Sequence, residues 1–143
     1  MGESKHRAKV VWRGGKEDLR AHTIALANQT LLGSCSELWG GDPAKADPEE
    51  LFVASLSACH MLWFLDYARH ARLRVVSYED EPEGTLNGSR FSDVVLRPRI
   101  TFDRPVSEET IGSLHAKAHE ACFIANSVSC DVRVEPDPQE ATR

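Results

Sequence analysis

The alternation of apolar and polar residues predicts three short strands near the start of the chain. Residues 10–12 end the first strand, and Gly14-Gly15 forms the turn into the second. In the second strand, alternate residues share a side, which places together His22, Ile24, Leu26 and Asn28. Residues 30–35 form the third strand. Residues 37–47 contain Gly40-Gly41 and Asp42-Pro43, which predict a loop.

A long helix follows this loop. Asp47 is the predicted N-cap, Pro48 occupies the first helical position, and Glu50 lies three residues after the cap. The pattern continues to about Arg72. The helix is apolar over most of its circumference, which predicts burial between sheets or at a subunit interface.

The rest of the chain predicts two longer strands, a second helix and a last strand. The long strands cover residues 75–86 and 91–102 and are joined at Asn87-Gly88, with Pro98 at an edge or a bulge. Pro105 and Ser107 open the second helix. Residues 128–134 alternate as a strand, and residues 136–143 are expected to form a loose tail. The order predicts an α+β fold in one domain over residues 1–143, rather than a parallel α/β fold.

Composition and charge narrow the classes of function. The 143 residues include 17 Lys and Arg against 22 Asp and Glu, a net charge of −5, which argues against a nucleic-acid partner. The apolar residues are dispersed, so we expect no membrane span, and the N-terminus lacks the pattern of a signal peptide. These features predict a cytoplasmic protein whose four cysteines are thiols.

Two of these cysteines, Cys59 and Cys122, lie on the predicted helices. The simplest interpretation of each is a small residue of the hydrophobic core. A second interpretation is a metal site. His115, His119 and Cys122 are spaced i, i+4 and i+7 and therefore share a helix face. They could hold a transition metal if Cys59 or His60 approached from the first helix.

Two segments carry a resemblance to a known family. Residues 47–59 read DPEELFVASLSAC, and residues 118–127 read AHEACFIANS, so that Cys59 and Cys122 are 63 positions apart. Both segments and their separation resemble the OsmC/Ohr family of thiol peroxidases. The resemblance extends from about residue 5 to residue 135, and Cys35 and Cys130 match none of the family's positions.

The resemblance implies an antioxidant enzyme, a cysteine-based organic hydroperoxide reductase of the oxidative stress response. The family's fold packs antiparallel sheets around a long central helix, in an intertwined homodimer with two active sites at the subunit interface. Cys59 would be the peroxidatic cysteine and Cys122 the resolving cysteine, and together they would form a redox-active disulfide. Glu49 would partner an arginine from the N-terminal strands, for which Arg20 is the first choice and Arg13 the second.

The chemistry of a dithiol suits this implied activity. A nearby guanidinium favours the thiolate, attack on a peroxide forms a sulfenic acid, and a second thiol condenses with it to a disulfide. This needs neither a metal nor a bound cofactor, only an external dithiol reductant, of the lipoyl type if the resemblance extends to the Ohr branch. Apolar side chains near the thiols predict a pocket for organic hydroperoxides, formed by Phe52, Met61, Leu62, Trp63 and Phe123.

Two features depart from the family and concern the substrate more than the fold. Phe123 follows Cys122 where many members have Pro, and His60 follows Cys59 where an apolar residue is common. The competing hypothesis is a non-enzymatic dimer that binds a metal or a small ligand through the same Cys and His residues.

The position of Glu49 bears on the dimer. Ten residues separate Glu49 from Cys59, a rise of about 15 Å on a straight helix. Three explanations are possible: the helix breaks near residues 55–57, an arginine bridges part of the distance, or the glutamate beside each Cys59 belongs to the other subunit. The apolar circumference of the helix favours the third, which predicts a homodimer whose active sites each draw residues from both subunits.

Overall fold

A computed structural model of the chain describes residues 2–137, which form two compact units divided between Phe52 and Val53. The division falls in the first turns of a helix, and the single domain over residues 1–143 stays a prediction. The described elements, in chain order, are β1 (Lys9–Val11), β2 (His22–Leu26), β3 (Gln29–Gly33), α1 (Pro48–His70), β4 (Val75–Asp80), β5 (Glu83–Asn87), β6 (Arg90–Leu96), β7 (Pro98–Phe102), α2 (Glu108–Ala121) and β8 (Asp131–Val134). Short 3-10 helices lie at Glu37–Trp39 and Ala125–Ser127.

The first unit contains an antiparallel sheet in the order β1-β2-β3. Strand β2 ends at Leu26, which pairs with Gln29 across a two-residue turn, so Asn28 lies in the turn rather than in the predicted strand. Ala27 takes a left-handed φ of 53° in this turn, a conformation that costs an alanine roughly 1–2 kcal/mol. The alternating pattern assigned Asn28 to the strand, although asparagine is a common turn residue.

The first turn of α1 has the predicted reciprocal cap. The Asp47 N–H donates to Glu50 Oε1 at 2.9 Å, and the Glu50 N–H donates to Asp47 Oδ1 at 2.7 Å. At the other end, the Leu73 N–H donates to the Ala68 carbonyl, and Arg72 has a φ of 59°. This pair of features is a Schellman end, so the helix stops at His70, slightly before the predicted Arg72.

In the second unit the two long predicted strands each divide in two. Strand β4 pairs with β7, whereas β5 pairs with β6, and β8 joins β6 in parallel. The breaks coincide with Pro82 and Pro98, which have no N–H group to donate to a neighbouring strand. Beside Pro98, the Arg97 N–H donates to the side chain of Asp80, at Oδ1 and 2.7 Å. The hairpin turn lies at Gly88-Ser89, with Gly88 at a φ of 68°, one residue beyond the predicted position.

The core of the second unit lies between α1, α2 and the β4–β7 pair. Ser107 caps α2 by accepting from the Thr110 N–H at 3.1 Å. Apolar side chains from these elements form one cluster, which consists of Phe64, Ala68, Ile100, Phe102, Ile111, Leu114 and Ala118. The Ser57 hydroxyl donates to Asp80 Oδ2 and ties α1 to the end of β4. The predicted α+β class, with two helices and small, mostly antiparallel sheets, is confirmed.

Helix α1 is long and apolar enough to cross a membrane by length and composition alone. Its most apolar 18-residue window has a mean hydropathy of 1.3. Because the apolar residues are dispersed along the chain, this segment was not identified from the sequence. Core helices of globular proteins meet the same criterion. The buried residues of α1 form one stripe at four-residue intervals, Leu56, His60, Phe64 and Ala68, as expected for a core helix.

Part of the tail predicted to be loose can be described. The Asp137 N–H donates to the Pro98 carbonyl at 3.1 Å, and Arg99 pairs with the Asp137 carboxylate at 3.5 Å. Residues 138–143 lie outside the described residues.

Candidate functional site

Two cysteine thiols meet where α1 and the end of α2 approach each other. Cys59 lies in the middle of α1 and is half-exposed, whereas Cys122 is the C-cap residue of α2 and is 1% exposed. The Cys122 thiol donates a side-chain hydrogen bond to Cys59. Residues 63 positions apart are therefore in contact, with one sulfur accessible and the other enclosed.

The surroundings of Cys122 favour its protonated form. Burial raises the pKa of the Cys122 thiol, and the hydrogen bond to Cys59 acts in the same direction. The Ala125 N–H, which donates to Cys122 Sγ at 3.4 Å, opposes the increase. Cys122 therefore tends to keep its proton and is suited to react second, while Cys59 is partly exposed.

An open apolar groove of about 320 Å³ begins at Cys59. Leu62, Trp63 and Phe123 supply its apolar walls, and Asp66 lines it as well. The rings of Trp63 and Phe123 meet edge to face with centroids 5.3 Å apart, which is a favourable aromatic geometry. A molecule in this groove would contact apolar walls beside an accessible sulfur.

Three of the five residues predicted for a substrate pocket line this groove, namely Leu62, Trp63 and Phe123. Met61 is not among the described residues that line it, and Phe52 ends the first unit. Asp66 was not predicted, although its position seven residues after Cys59 places both on one helix face. Its carboxylate pairs with Arg69 at 2.9 Å, so the groove has a charged end.

Two of the candidate histidines form a buried pair between the helices. His60 of α1 is 1% exposed and His115 of α2 is 5% exposed. His60 Nε2 and His115 Nδ1 are 3.0 Å apart, and the rings are within 8° of parallel. His119 is exposed instead. Among residues 2–137, no group of three or more His, Cys, Asp or Glu side chains is arranged to hold a metal ion.

The outer nitrogens of this pair, His60 Nδ1 and His115 Nε2, are buried and have no hydrogen-bond partner. The pKa of both histidines is lowered to about 4, for His115 by burial and for His60 by burial together with the neighbouring His115 and His119. Both imidazoles are therefore neutral at pH 7. The metal hypothesis already allowed His60 to approach the helix face that carries His115, but only the contact between the helices shows that the two rings form a buried hydrogen bond.

The remaining candidate residues lie in the first unit. Arg20 Nε donates to the Trp39 carbonyl at 3.0 Å, which anchors the guanidinium, whereas Arg13 has no described hydrogen bond or ion pair. Glu49 is half-buried in the first turn of α1 and likewise has no ion pair with a described residue. Arg20 and Glu49 are therefore not paired within the described chain.

Helix α1 runs without a break from Pro48 to His70. The explanation that the helix breaks near residues 55–57 is therefore wrong. The capped first turn and the apolar sequence let the hydrogen-bond ladder continue through both serines. The other two explanations for the distance between Glu49 and Cys59 stay open.

The family follows from comparison with known proteins. The family model described as OsmC-like protein matches residues 40–137, which include both cysteines and both histidines of the buried pair. The chain belongs to the OsmC family. An OsmC-like protein of unknown function from Vibrio cholerae is 36% identical to this chain, with a TM-score of 0.85 over 94% of this chain and 100% of that chain.

Two further solved structures share the fold of this OsmC family member at lower identity. An organic hydroperoxide resistance protein OsmC from Legionella pneumophila is 20% identical, with a TM-score of 0.73 over 95% of this chain and 100% of that one. The organic hydroperoxide resistance protein OhrB of Bacillus subtilis is 21% identical, with a TM-score of 0.61 over 92% of this chain and 98% of that one. The comparison with curated proteins found no match. The resemblance identified in the sequence is confirmed, together with the fold.

The buried histidine pair predicts that this OsmC family member loses stability in mild acid. The folded pKa of about 4 lies below the ordinary value of 6.5, so the folded state binds fewer protons than the unfolded state. The free energy of unfolding is expected to fall between pH 6.5 and about pH 4, on the order of several kcal/mol for the pair. Urea unfolding at a series of pH values measures this loss.

The matched control is the double substitution His60→Leu with His115→Leu. It removes both imidazoles, so we expect a flatter dependence on pH over the same interval. Equal slopes in the parent and the double variant would contradict the assignment of the acid response to this pair.

Proposed function

We propose that this OsmC family member is a thiol peroxidase that reduces organic hydroperoxides to alcohols. The observation that carries the proposal is the arrangement of the two thiols: Cys59 is accessible at an apolar groove, and the buried Cys122 thiol donates a hydrogen bond to it. In this proposal Cys59 is the peroxidatic cysteine and Cys122 the resolving cysteine. The fold shared with organic hydroperoxide resistance proteins is consistent with this assignment.

The proposed reaction has three steps. The Cys59 thiolate attacks one peroxide oxygen, an S–O bond forms as the O–O bond breaks, and the alkoxide leaves as an alcohol after taking a proton. The Cys122 thiol then attacks the sulfenic sulfur of Cys59, which forms the S–S bond and releases water. An external dithiol, of the lipoyl type, finally exchanges with the disulfide and restores both thiols.

The groove supports organic rather than inorganic peroxides as substrates. Apolar walls from Leu62, Trp63 and Phe123 would bind the hydrocarbon part of a substrate and exclude water from the sulfur. Hydrogen peroxide has no apolar part to bind there. The substrate class therefore follows from the walls rather than from the thiols.

A homodimer and a cytoplasmic location belong to the same proposal. Leu62 is 63% exposed and Phe123 is 60% exposed, and an exposed apolar patch of this kind is typical of a subunit interface. A partner subunit would close one side of the groove, leaving room for the substrate, and would supply Glu49 to the other chain's Cys59, which its own Glu49 cannot reach along a straight helix. No bound cofactor is required, and the partners are the hydroperoxide and the dithiol.

Within this proposal, Arg20 is the arginine that stabilises the Cys59 thiolate. Arg20→Met should slow the reaction with hydroperoxide by about tenfold or more, because it removes the positive charge that would favour the Cys59 thiolate in this proposal. Stopped-flow measurement of the first oxidation step gives the rate. The matched control is Arg13→Met, which should change the rate much less. A larger loss for Arg13→Met would assign the role to Arg13.

The test of the function itself is mass spectrometry of the reduced protein before and after one equivalent of tert-butyl hydroperoxide. We expect the loss of two hydrogen atoms and a peptide pair joined through Cys59 and Cys122, with one equivalent of tert-butanol formed. An unchanged mass, with both thiols still open to alkylation, would contradict the proposal.

A further inference from the structure

The histidine pair joins the two helices that carry the cysteines. His60 directly follows Cys59 on α1, and His115 lies seven residues before Cys122 on α2, a rise of about 10.5 Å along that helix. The N···N distance of 3.0 Å makes the pair a direct hydrogen bond between the helices. The bond therefore couples the residue just after Cys59 to the segment before Cys122.

Stability alone does not explain this pair. Both rings lie in an otherwise apolar region, with His115 packed against Phe64 at a centroid distance of 4.4 Å. Two ring nitrogens stay buried without a partner, and each such group costs about 1–3 kcal/mol. Apolar side chains of similar size would fill the same space without that cost. We therefore expect the His60–His115 pair to have a role that a nonpolar contact could not perform.

Directionality is what the hydrogen bond adds. The other core residues on the facing helices, such as Phe64, Ala68 and Ala118, contribute apolar contacts. Apolar contacts are not directional and constrain rotation and sliding of the helices only through shape. A hydrogen bond weakens steeply with distance and angle, so it selects one register of α1 against α2.

We propose that the hydrogen bond between His60 and His115 fixes the register of the two helices and thereby holds the Cys122 thiol against Cys59. His60 and His115 are positioning residues in this account, since neither is required to touch the substrate. Two Cα atoms must come within about 4.4–6.8 Å for a disulfide, so a small slip of one helix slows or prevents bond formation. The inference rests on the proposed function for its biological meaning.

Glutathione equilibration tests the inference without any hydroperoxide. The reduced protein reacts with glutathione disulfide to form the Cys59–Cys122 disulfide and two molecules of glutathione, so the equilibrium constant measures how well the thiols are held together. His115→Phe keeps a ring beside Phe64 but removes the hydrogen bond. We expect this equilibrium constant to fall about tenfold, the factor that one net hydrogen bond supplies.

A conservative variant separates positioning from general loss of stability. The amide of Asn can place a polar atom near that of His115 Nδ1, so His115→Asn should recover most of the loss. On α1, His60→Phe and His60→Gln make the same comparison, and they replace the first pair if His115→Phe does not fold. His119→Ala, at an exposed histidine one turn further along α2, should leave the equilibrium unchanged.

The outcomes distinguish this inference from the proposed function. An equilibrium constant unchanged in the Phe variants, or lowered equally in the Phe and the amide variants, would overturn the positioning role. If the Phe variants alone lower it while the parent fails to reduce tert-butyl hydroperoxide, the positioning role holds and the peroxidase proposal fails.

Discussion

Replacement of Cys59 by Ser is expected to reduce hydroperoxide consumption to the rate of the buffer alone. A serine hydroxyl does not ionise near neutral pH, so no anion attacks the peroxide, and the buried Cys122 has little access to substrate. The measurement follows tert-butyl hydroperoxide with dihydrolipoamide as the external dithiol.

Cys130→Ser is the matched control for this variant. Cys130 is a half-exposed thiol of the same unit, but it lines a different groove, beside Arg90 and Ser129. The control should keep the parent rate. Parent-like turnover in Cys59→Ser would assign the chemistry to another thiol and would refute the central role of Cys59.

Replacement of Cys122 by Ser should separate the first oxidation from the rest of the cycle. Without an external dithiol, we expect one rapid oxidation of Cys59 to the sulfenic acid, with one equivalent of alcohol formed. No second thiol is then in contact with Cys59, so excess hydroperoxide should drive it to the sulfinic acid. Mass spectrometry should show the gain of one oxygen atom and later of two.

The parent treated in the same way should lose two hydrogen atoms and resist further oxidation. This contrast is expected because the Cys122 thiol already donates a hydrogen bond to Cys59 in the reduced protein. If Cys122→Ser formed a disulfide at the parent rate, a different thiol would be the resolving cysteine. If its first oxidation were slow, Cys122 would also take part in activating Cys59.

Local chemistry made the beginning of each helix predictable. Asp47 and Glu50 satisfy each other's backbone N–H groups, and the Ser107 hydroxyl accepts from the Thr110 N–H at the start of α2. Both starts can therefore be recognised from a few neighbouring residues. The breaks at Pro82 and Pro98 arise from the missing N–H groups, but the partner that completes them, Asp80, is supplied by the fold. The turn at Ala27-Asn28 had only Asn28 as a local signal, which the alternating pattern outweighed.

At the candidate site, too, some features could be predicted from the sequence and others depend on packing. The spacing of the two motifs was sufficient to single out Cys59 and Cys122, because a family resemblance depends on residue order and separation. Whether one thiol is exposed and the other enclosed depends on which side chains surround them, which is a property of packing. The packing also places Asp66 along the groove.

The sequence by itself determined the α+β class, the capped helices and the two cysteines, because each depends on residues close together in the chain or on motifs with a fixed separation. The tertiary structure alone decided the contact between the cysteines and the hydrogen bond between His60 and His115. Those contacts join positions 55 and 63 residues apart, and only the packing of α2 on α1 brings them within bonding distance. The sequence shows that a histidine follows Cys59, but only the fold places His115 within hydrogen-bonding distance of it.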